Sequence, residues 1–372
     1  MSAQKWIKIW MIMILTISFA VGLINYVIDP LGFNKKILIK NMNIVKEDNT
    51  LFTIKYKMPL LKKGGWDNLM LGTSRIGLMD THVADRYLGG KTFTMSLPGS
   101  AMPLQWDSFL YAIKFNNIKN IIYGIDFMTF NKNLKFNDDY VQLKEEIQSF
   151  DSFYTYDIYF NIQTLIKSIR TIVNNNALHP RYHVYYSESG MRHFPNYKQK
   201  LKNGTFKLQN SINDHIKYYF DKNRGIYAKY EYSHEYMRMF KKIVDYCHKN
   251  DIKIYVYIPP MYAEHFYALK EAGLKQAFET FKRELAEITD FTDFTGVNSI
   301  TTNKDNYWDS SHLRKEHTEL VISKLLYPED SVEHQDFGVQ VTKENIEAHL
   351  KQQNDQYKYI DLKEILDSIY RH

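Results

Sequence analysis

The chain begins with its longest apolar stretch. No charged residue occurs from Ile9 to Ile28, a length that matches the roughly 20 residues a helix needs to cross the hydrocarbon region of a bilayer. Lys5 and Lys8 precede the stretch, which favours a cytoplasmic N-terminus and export of the chain beyond about residue 30. We predict a retained membrane anchor over residues 1–30. A cleaved signal peptide is the alternative, since Ser18-Phe19-Ala20 provides the small residues of a cleavage site.

The rest of the chain alternates short apolar runs with amphipathic segments. Short runs rich in β-branched residues favour buried strands, and they occur at Asn68–Leu71, Thr92–Leu97, Ile121–Ile125, Ile252–Ile258 and Ile288–Phe294. Apolar residues recur with helical spacing at Leu104–Phe115, Tyr236–His248 and Leu274–Glu287. This alternation predicts an α/β fold, a three-layer α/β/α domain on a central parallel sheet with right-handed crossovers.

From the order of these elements we predict that the chain has four parts. Residues 1–30 are the anchor, residues 31–66 a juxtamembrane linker, residues 67–328 the α/β domain and residues 329–372 a helical tail. In that tail, Thr342 would cap a helix over Lys343–Gln352, and a second helix is expected near Leu362–Tyr370. Residues 131–232, with a helical pattern at Asp157–Ile172, are too long for one crossover. They are predicted to be an insertion, either a lid or substrate-recognition element or a solvated excursion.

Composition narrows the function classes. The 372 residues are 44% hydrophobic, with 16 Gly and 9 Pro, which excludes a disordered or collagen-like chain. The single cysteine, Cys247, excludes an intrachain disulfide and a thiolate metal cluster. Lys and Arg total 48 against 42 Asp and Glu and are interspersed with them, so nucleic acid is not an expected partner. No metal-ligand spacing or dinucleotide fingerprint occurs, so we expect no metal and no cofactor.

The first predicted strand runs directly into Gly72-Thr73-Ser74-Arg75. Ligands of open parallel sheets bind beyond the carboxyl ends of the strands, so a serine at this turn is a candidate nucleophile. The alternative is that Ser74 only caps the following helix.

A carboxylate and an imidazole occur together near the other end of the predicted sheet. Asp309 stands three residues before His312, just upstream of an amphipathic run from Leu313 to Leu326. A hydroxyl nucleophile needs a base, and the base needs an acceptor that fixes its tautomer. The alternative is a helix cap at Asp309 or Ser310 with His312 on the surface.

Other polar residues are weaker candidates. His183, His193, Arg181 and Arg192 in the insertion could contact a polymeric substrate. A surface position is the favoured interpretation for these residues and for His265, which follows the Pro259-Pro260 turn.

In combination, these motifs resemble the SGNH, or GDSL-like, hydrolase superfamily, and within it the membrane-anchored branch associated with bacterial surface-polysaccharide O-acylation. The resemblance covers nearly the whole chain in six ordered segments, which are Asp29–Gly32, Leu71–Arg75, Ser96–Ala101, Tyr123–Phe127, Ile258–Pro260 and Asp309–His312. It implies that Ser74 is the nucleophile, His312 the general base and acid, and Asp309 the orienting carboxylate. It also implies that the backbone N–H groups of Ser74 and Gly99 form an oxyanion hole.

The sequence departs from the superfamily at one position. The third segment usually ends in an asparagine whose amide completes the oxyanion hole, whereas this chain has Asp126. An ionised carboxylate only accepts hydrogen bonds and would repel a developing alkoxide. We hypothesise that Arg75 pairs with Asp126 and presents a guanidinium N–H to the pocket. The alternative is that Asp126 caps its loop away from the pocket.

The resemblance implies an envelope serine O-acyltransferase that moves an acetyl or similar short acyl group to a cell-surface polysaccharide through a Ser74 acyl-enzyme. A carbohydrate esterase acting on the same glycans and a catalytically weak glycan-binding or assembly protein are the alternatives. Related anchored proteins are thought to work with a membrane-bound O-acyltransferase, which is therefore the expected partner. The expected location is the bacterial cytoplasmic membrane, single-pass, with the catalytic domain on the periplasmic or extracellular side.

Overall fold

The computed structural model describes residues 2–34, 37–50, 53–134, 158–328 and 334–356. The chain divides into two compact units. The first comprises Met1–Pro59, Glu145–Ser187 and Arg192–Phe206, and the second comprises Leu60–Lys144, Glu188–Met191 and Lys207–His372. The tail helix expected near Leu362–Tyr370 lies outside the described residues.

Helices and strands alternate along much of the described chain. The helices are α1 (Ala3–Ile28), α2 (Thr53–Lys63), α3 (Thr81–Leu88), α4 (Met102–Phe115), α5 (Ile162–Asn175), α6 (Pro195–Lys202), α7 (Leu208–Phe220), α8 (His234–Lys249), α9 (Ala263–Glu271), α10 (Lys275–Ile288), α11 (Thr318–Leu326) and α12 (Ile346–Gln356). The strands are β1 (Asn68–Gly72), β2 (Thr92–Ser96), β3 (Asn120–Gly124), β4 (Tyr185–Tyr186), β5 (Arg192–His193), β6 (Lys253–Ile258), β7 (Phe291–Asp293) and β8 (Val339–Val341).

The first unit contains the apolar helix α1, which is 26 residues long with a mean hydropathy of 2.2 in its most apolar window. Only 6% of that window is buried, so its apolar side chains face outward. The helix ends at Asp29, which has a left-handed φ of 45°. The Asp29 carboxylate accepts from Phe33 N at 2.8 Å and thereby fixes the turn after the helix. By length and composition, α1 fits a membrane anchor or a signal sequence.

The second unit is built on a six-stranded sheet with the order β2-β1-β3-β6-β7-β8. The strands β1, β2, β3, β6 and β7 pair in parallel, and β8 is antiparallel to β7. Every residue of β1 is buried, which is why that run is apolar without alternation. The expected α/β class is confirmed at this level, as a mixed α/β fold with a mostly parallel central sheet and one N-terminal apolar helix.

The direction in which strands are added to the sheet reverses between β1 and β3. The chain runs from β1 to β2 on one side of β1, and β3 then lies on the other side. Such a reversal opens a crevice at the carboxyl ends of the strands. Gly72 and Gly124 are paired at these ends. Gly72 has a φ of 149°, and a Cβ there would collide with the Gly124 carbonyl oxygen. Glycine at position 72 therefore lets the two backbones approach closely where β1 meets the crevice.

Three local expectations differ from the structure. The tail is not helical throughout, because β8 precedes its described helix. That helix begins at Ile346 rather than Lys343, since Thr342 Oγ1 accepts from Glu344 N in a preceding turn. The amphipathic run after His312 becomes an α-helix only at Thr318, after a short 3-10 turn at Lys315–His317.

A buried charge cluster joins α10, β7 and α12. Lys282 Nζ lies 2.6 Å from Asp293 Oδ2, and both side chains are fully buried. Asp293 Oδ2 also lies 2.8 Å from His349 Nε2, and Gln353 Oε1 accepts from Lys282 Nζ at 2.6 Å. Burial alone would raise the pKa of Asp293, but Lys282 and His349 hold it well below its usual value. The cluster ties the tail to the sheet.

Replacing Lys282 with Met is expected to destabilise the protein by about 3–5 kcal/mol, because it leaves the Asp293 carboxylate buried without its cation. The measurement is denaturant unfolding of the full chain in detergent, followed by tryptophan fluorescence. Lys241→Met is the matched control, because Lys241 and Asp245 form an exposed pair at 2.7 Å of a kind worth about 0.3–0.5 kcal/mol. Equal losses in the two variants would contradict the importance of the buried cluster.

Candidate active site

The crevice beyond β1 and β3 contains the side chains singled out from the sequence. Ser74 follows β1, Asp126 follows β3, and the loop from Tyr307 to Leu313 carries Asp309 and His312. All of these residues belong to the second unit. The sheet therefore gathers residues that are up to 238 positions apart in the chain.

Ser74 and His312 are in hydrogen-bonding contact. His312 Nε2 lies 2.8 Å from Ser74 Oγ, and the two residues are only 8% and 5% exposed. The 3-10 turn after Ser74 begins at Ile76 without a side-chain cap, and α3 is capped by Asp80. The Ser74 hydroxyl thus faces an imidazole rather than a helix end, as a nucleophile activated by a base requires.

Asp309 holds the other nitrogen of the same imidazole. Its Oδ2 lies 2.7 Å from His312 Nδ1, while its Oδ1 accepts from the backbone N–H groups of Ser311 at 2.9 Å and His312 at 3.0 Å. Trp308 N donates to His312 O at 2.9 Å and closes the loop. With a carboxylate at Nδ1, the neutral ring keeps its proton there and offers a lone pair at Nε2 to the serine hydroxyl.

The charge of Asp309 follows from its surroundings. Burial alone would raise the pKa of Asp309, but His312 and a second histidine, His215, hold that pKa well below its ordinary value. The carboxylate is therefore ionised at neutral pH and can stabilise an imidazolium as it forms on His312.

His215, on α7, is a functional candidate that the sequence did not indicate. Its Nδ1 lies 3.3 Å from Asp309 Oδ1 and 3.0 Å from Ser310 Oγ, and its ring centroid is 5.2 Å from that of His312. The same Ser310 Oγ lies 2.9 Å from His265 Nδ1. Asp309 is thus shared by two imidazoles, one of which reaches Ser74.

The expected surface position of His265 is wrong. The residue is completely buried on α9, with its ring 4.7 Å from that of Tyr219 and 5.1 Å from that of Phe220. Burial, with Arg75 nearby, lowers the pKa of His265 well below its ordinary value. His265 is therefore neutral and supports the Ser310 end of the site. The insertion residues His183, His193, Arg181 and Arg192 belong to the first unit.

Arg75 and Asp126 form a buried ion pair behind the nucleophile. Arg75 Nη1 lies 2.6 Å from Asp126 Oδ1, and Thr73 donates its hydroxyl to Asp126 Oδ2. Burial alone would lower the pKa of Arg75, but Asp126 raises it above its usual value. Within the described part of the chain, Arg75 Nε and Nη2 are buried without an acceptor. The Arg75 guanidinium neutralises the carboxylate, Thr73 adds a hydrogen bond to it, and Tyr219 and Tyr227 also interact with the guanidinium.

The expected backbone donors lie on adjoining loops. Leu97 N donates to Gly72 O at 2.8 Å, which joins the loop carrying Gly99 to the end of β1 beside Ser74. Gly99 adopts a left-handed φ of 63°. Among the residues that the structure describes, neither the Ser74 nor the Gly99 N–H donates to a protein acceptor. Both groups are therefore able to donate to an oxyanion.

A small cavity adjoins these residues. Its lining includes Arg75, Met79, Pro259, Pro260, Ser311 and Leu313. Arg314 and Lys315 also line the cavity, so its walls combine apolar side chains with three cations, and Ser74 and His312 are not among the lining residues.

His215, Asp309 and His312 place one ligand atom each within 4.8 Å of one another, so these three residues are the set in the described chain that could hold a metal ion. The Nδ1 atoms of both histidines already face Asp309. A cation there would have to replace those contacts and would compete with the hydrogen-bonded chain from Asp309 to Ser74.

Comparison of the chain with protein-family models and with curated proteins finds no match. The serine chemistry proposed below therefore rests on the geometry of the site, and the polysaccharide acceptor rests on the resemblance of the sequence motifs.

Replacing Asp126 with Asn is expected to reduce ester turnover by about 10²-fold, because the Arg75 guanidinium loses its anchoring carboxylate and moves from the pocket. The measurement is kcat on a small aryl acetate, with far-ultraviolet circular dichroism to verify folding. Thr73→Val serves as the control, since it removes the second donor to Asp126 and leaves the ion pair. A large gain in turnover for Asp126→Asn would show instead that the carboxylate opposes the oxyanion without compensation.

Proposed function

We propose that the protein is a membrane-anchored serine O-acyltransferase of the SGNH type, with a three-layer α/β/α domain, that transfers acetyl or a similar short acyl group to a surface polysaccharide. The observation that carries the proposal is the continuous contact from Asp309 through His312 to Ser74, at 2.7 and 2.8 Å. The reversal point of the sheet is where such a site is expected in an open α/β fold.

The proposed reaction has two half-reactions at one serine. His312 Nε2 takes the Ser74 proton while Ser74 Oγ attacks the acyl carbonyl, and the N–H groups of Ser74 and Gly99 stabilise the alkoxide. The tetrahedral intermediate then expels the donor's leaving group, which receives the proton from His312. An acyl-enzyme remains, and a sugar hydroxyl attacks it as His312 takes that hydroxyl's proton. Collapse returns the proton to Ser74 and releases the acylated glycan.

The resemblance of the motifs supports a short acyl group, and the long apolar helix α1 supports work at a membrane. A tether raises the effective concentration of the enzyme near a membrane-bound O-acyltransferase that supplies acyl groups across the bilayer. We place the candidate active site on the periplasmic or extracellular side because Lys5 and Lys8 favour a cytoplasmic N-terminus. The same chemistry with water as acceptor would make a carbohydrate esterase, which is the second candidate.

Peptide mapping by mass spectrometry tests the proposal. After incubation with a small aryl acetate ester, one acetyl group is expected on the peptide that contains Ser74. Ser100→Ala is the matched control, because Ser100 is a buried serine whose Oγ accepts from Gln105 at 3.0 Å and not from His312; this variant should still be acetylated at Ser74. Absence of any adduct on correctly folded protein would favour a binding or assembly role.

Adding an oligosaccharide acceptor distinguishes transfer from hydrolysis. A transferase should form acetylated sugar at the expense of free acetate, whereas an esterase should release acetate at a rate that the sugar does not change.

A further inference from the structure

Helix α5 has an inverted distribution of polar and apolar side chains. Its buried side chains are the small polar Thr164, Ser168 and Thr171. Its exposed apolar side chains, which we call the apolar stripe, are Ile162, Ile166, Ile169 and Val173, which are 71%, 46%, 54% and 65% exposed. Spacings of four, three and four residues place the stripe on one face of the helix, opposite the buried polar residues. A water-exposed surface helix has the reverse arrangement.

The buried polar face of α5 packs on α1 within the first unit. Ser168 Oγ donates to Asn25 Oδ1 at 2.8 Å, and Asn25 Nδ2 donates to the carbonyl of Tyr159 at 2.6 Å and that of Asn161 at 3.1 Å. At Gly22 an added Cβ would lie 2.6 Å from the Phe160 ring, so glycine lets this ring approach the helix without having to move. Small residues and interhelical hydrogen bonds between outward-facing apolar surfaces are typical of helix packing in membranes.

The contact lies at one end of the candidate membrane span. The buried residues of α1 are Gly22, Asn25 and Ile28, which extend over about 9 Å at 1.5 Å per residue. Interfacial helices are typically buried about 5–10 Å into the boundary between headgroups and acyl chains. With 14 residues, α5 is about 21 Å long, too short to cross the roughly 30 Å hydrocarbon region.

The flank of the stripe carries positive charge. Arg170 is exposed and lies about 80° around the helix from Ile162 at 100° per residue. A guanidinium at this position can reach lipid phosphates while the stripe contacts acyl chains. On the neighbouring helix α1, Leu23 is also an exposed apolar side chain, at 51%.

We propose that α5 is a second membrane element, which lies in the surface of the bilayer that α1 crosses and buries its apolar stripe among the lipid acyl chains. The inference rests on the anchor in the proposed function and not on the acyl-transfer chemistry. In this proposal, the helix α5 of the predicted insertion (residues 131–232) holds the first unit against the membrane surface at the end of the anchor.

Site-directed fluorescence tests the proposal. The variants Ile166→Cys and Val173→Cys of the full chain are labelled with an environment-sensitive dye and reconstituted into vesicles that contain only phosphatidylethanolamine and phosphatidylglycerol. Native Cys247 is buried, and burial raises its pKa to about 12, so unmodified protein provides the labelling blank. We expect quenching by lipids that carry a spin label near the headgroup and protection from aqueous iodide.

Tyr327→Cys is the matched control, an exposed aromatic position at 47% outside the stripe and outside the first unit, and we expect lipid labels to quench the two stripe positions more strongly than this one. Iodide access at both stripe positions in vesicles would overturn the proposal. Protection that arises only in native membranes would also overturn it and assign the stripe to a protein partner. Each labelled protein is also tested for acetylation at Ser74, so that a failure of the membrane contact is distinguished from a failure of the chemistry.

Discussion

Replacing Ser74 with Ala is expected to lower kcat for ester cleavage or acyl transfer by about 10⁶-fold, to the level left by binding and the oxyanion donors. The reason is that the variant has no oxygen at the position 2.8 Å from His312 Nε2, so no acyl-enzyme can form. Stopped-flow and steady-state measurement with an aryl acetate should show loss of both the burst and the turnover. The removed hydroxyl is small and its hydrogen bond is to the His312 side chain, so we expect the variant to fold.

Ser310→Ala provides the comparison for that result. Ser310 lies in the same loop as His312, but its Oγ contacts His215 and His265 rather than His312. We expect it to keep the burst and lose far less turnover than Ser74→Ala. If Ser74→Ala retained a full burst, the nucleophile would be another residue and the proposed mechanism would be wrong.

Much of the site could be predicted from the sequence because a parallel sheet brings the carboxyl ends of its strands to one edge. Ser74 and Asp126 each follow an apolar run, and the structure pairs those two strands. The contact between Arg75 and Asp126 follows from the same register. Asp309 and His312 are three residues apart, so a single loop suffices to bring carboxylate and imidazole together.

The residues that the sequence did not indicate depend on contacts between distant elements. His215 lies on a helix of the insertion, where neither a motif nor its spacing distinguishes it, and only the packing of α7 brings it to Asp309. The burial of His265 depends on the Tyr219 and Phe220 rings from that same helix. Strand β8 has only three residues and pairs antiparallel to β7, so its apolar pattern is too short to identify.

The inverted helix α5 shows a different reason for a missed feature. The periodicity of Ile162, Ile166 and Ile169 is visible in the sequence, but a helical period alone does not say whether the apolar face points to a protein core or to lipid. The buried Thr164 and Ser168 on the opposite side show that the apolar face points away from the protein core, and their burial depends on tertiary packing that the sequence does not reveal.

Replacing Asp309 with Asn should lower kcat by about 10⁴-fold with little change in KM. The asparagine carbonyl can still accept from the backbone N–H groups of Ser311 and His312, so the loop keeps its shape. Its amide then faces His312 Nδ1 as a donor, which forces the ring proton onto Nε2. Nε2 can no longer take the Ser74 proton. The measurement is kcat and KM across pH on the same ester, with acetylation at Ser74 as a second readout.

His215→Gln separates the two imidazoles that share Asp309. It removes the contact at 3.3 Å and leaves the one at 2.7 Å to His312, so we expect a loss of about 10- to 100-fold, of the size of one hydrogen bond to a charged group. A variant at His215 that was as inactive as Asp309→Asn would give His215 an equal part in catalysis. Full activity of Asp309→Asn would mean that the tautomer of His312 is fixed by other contacts, because in a triad the carboxylate's main task is to keep the proton on Nδ1.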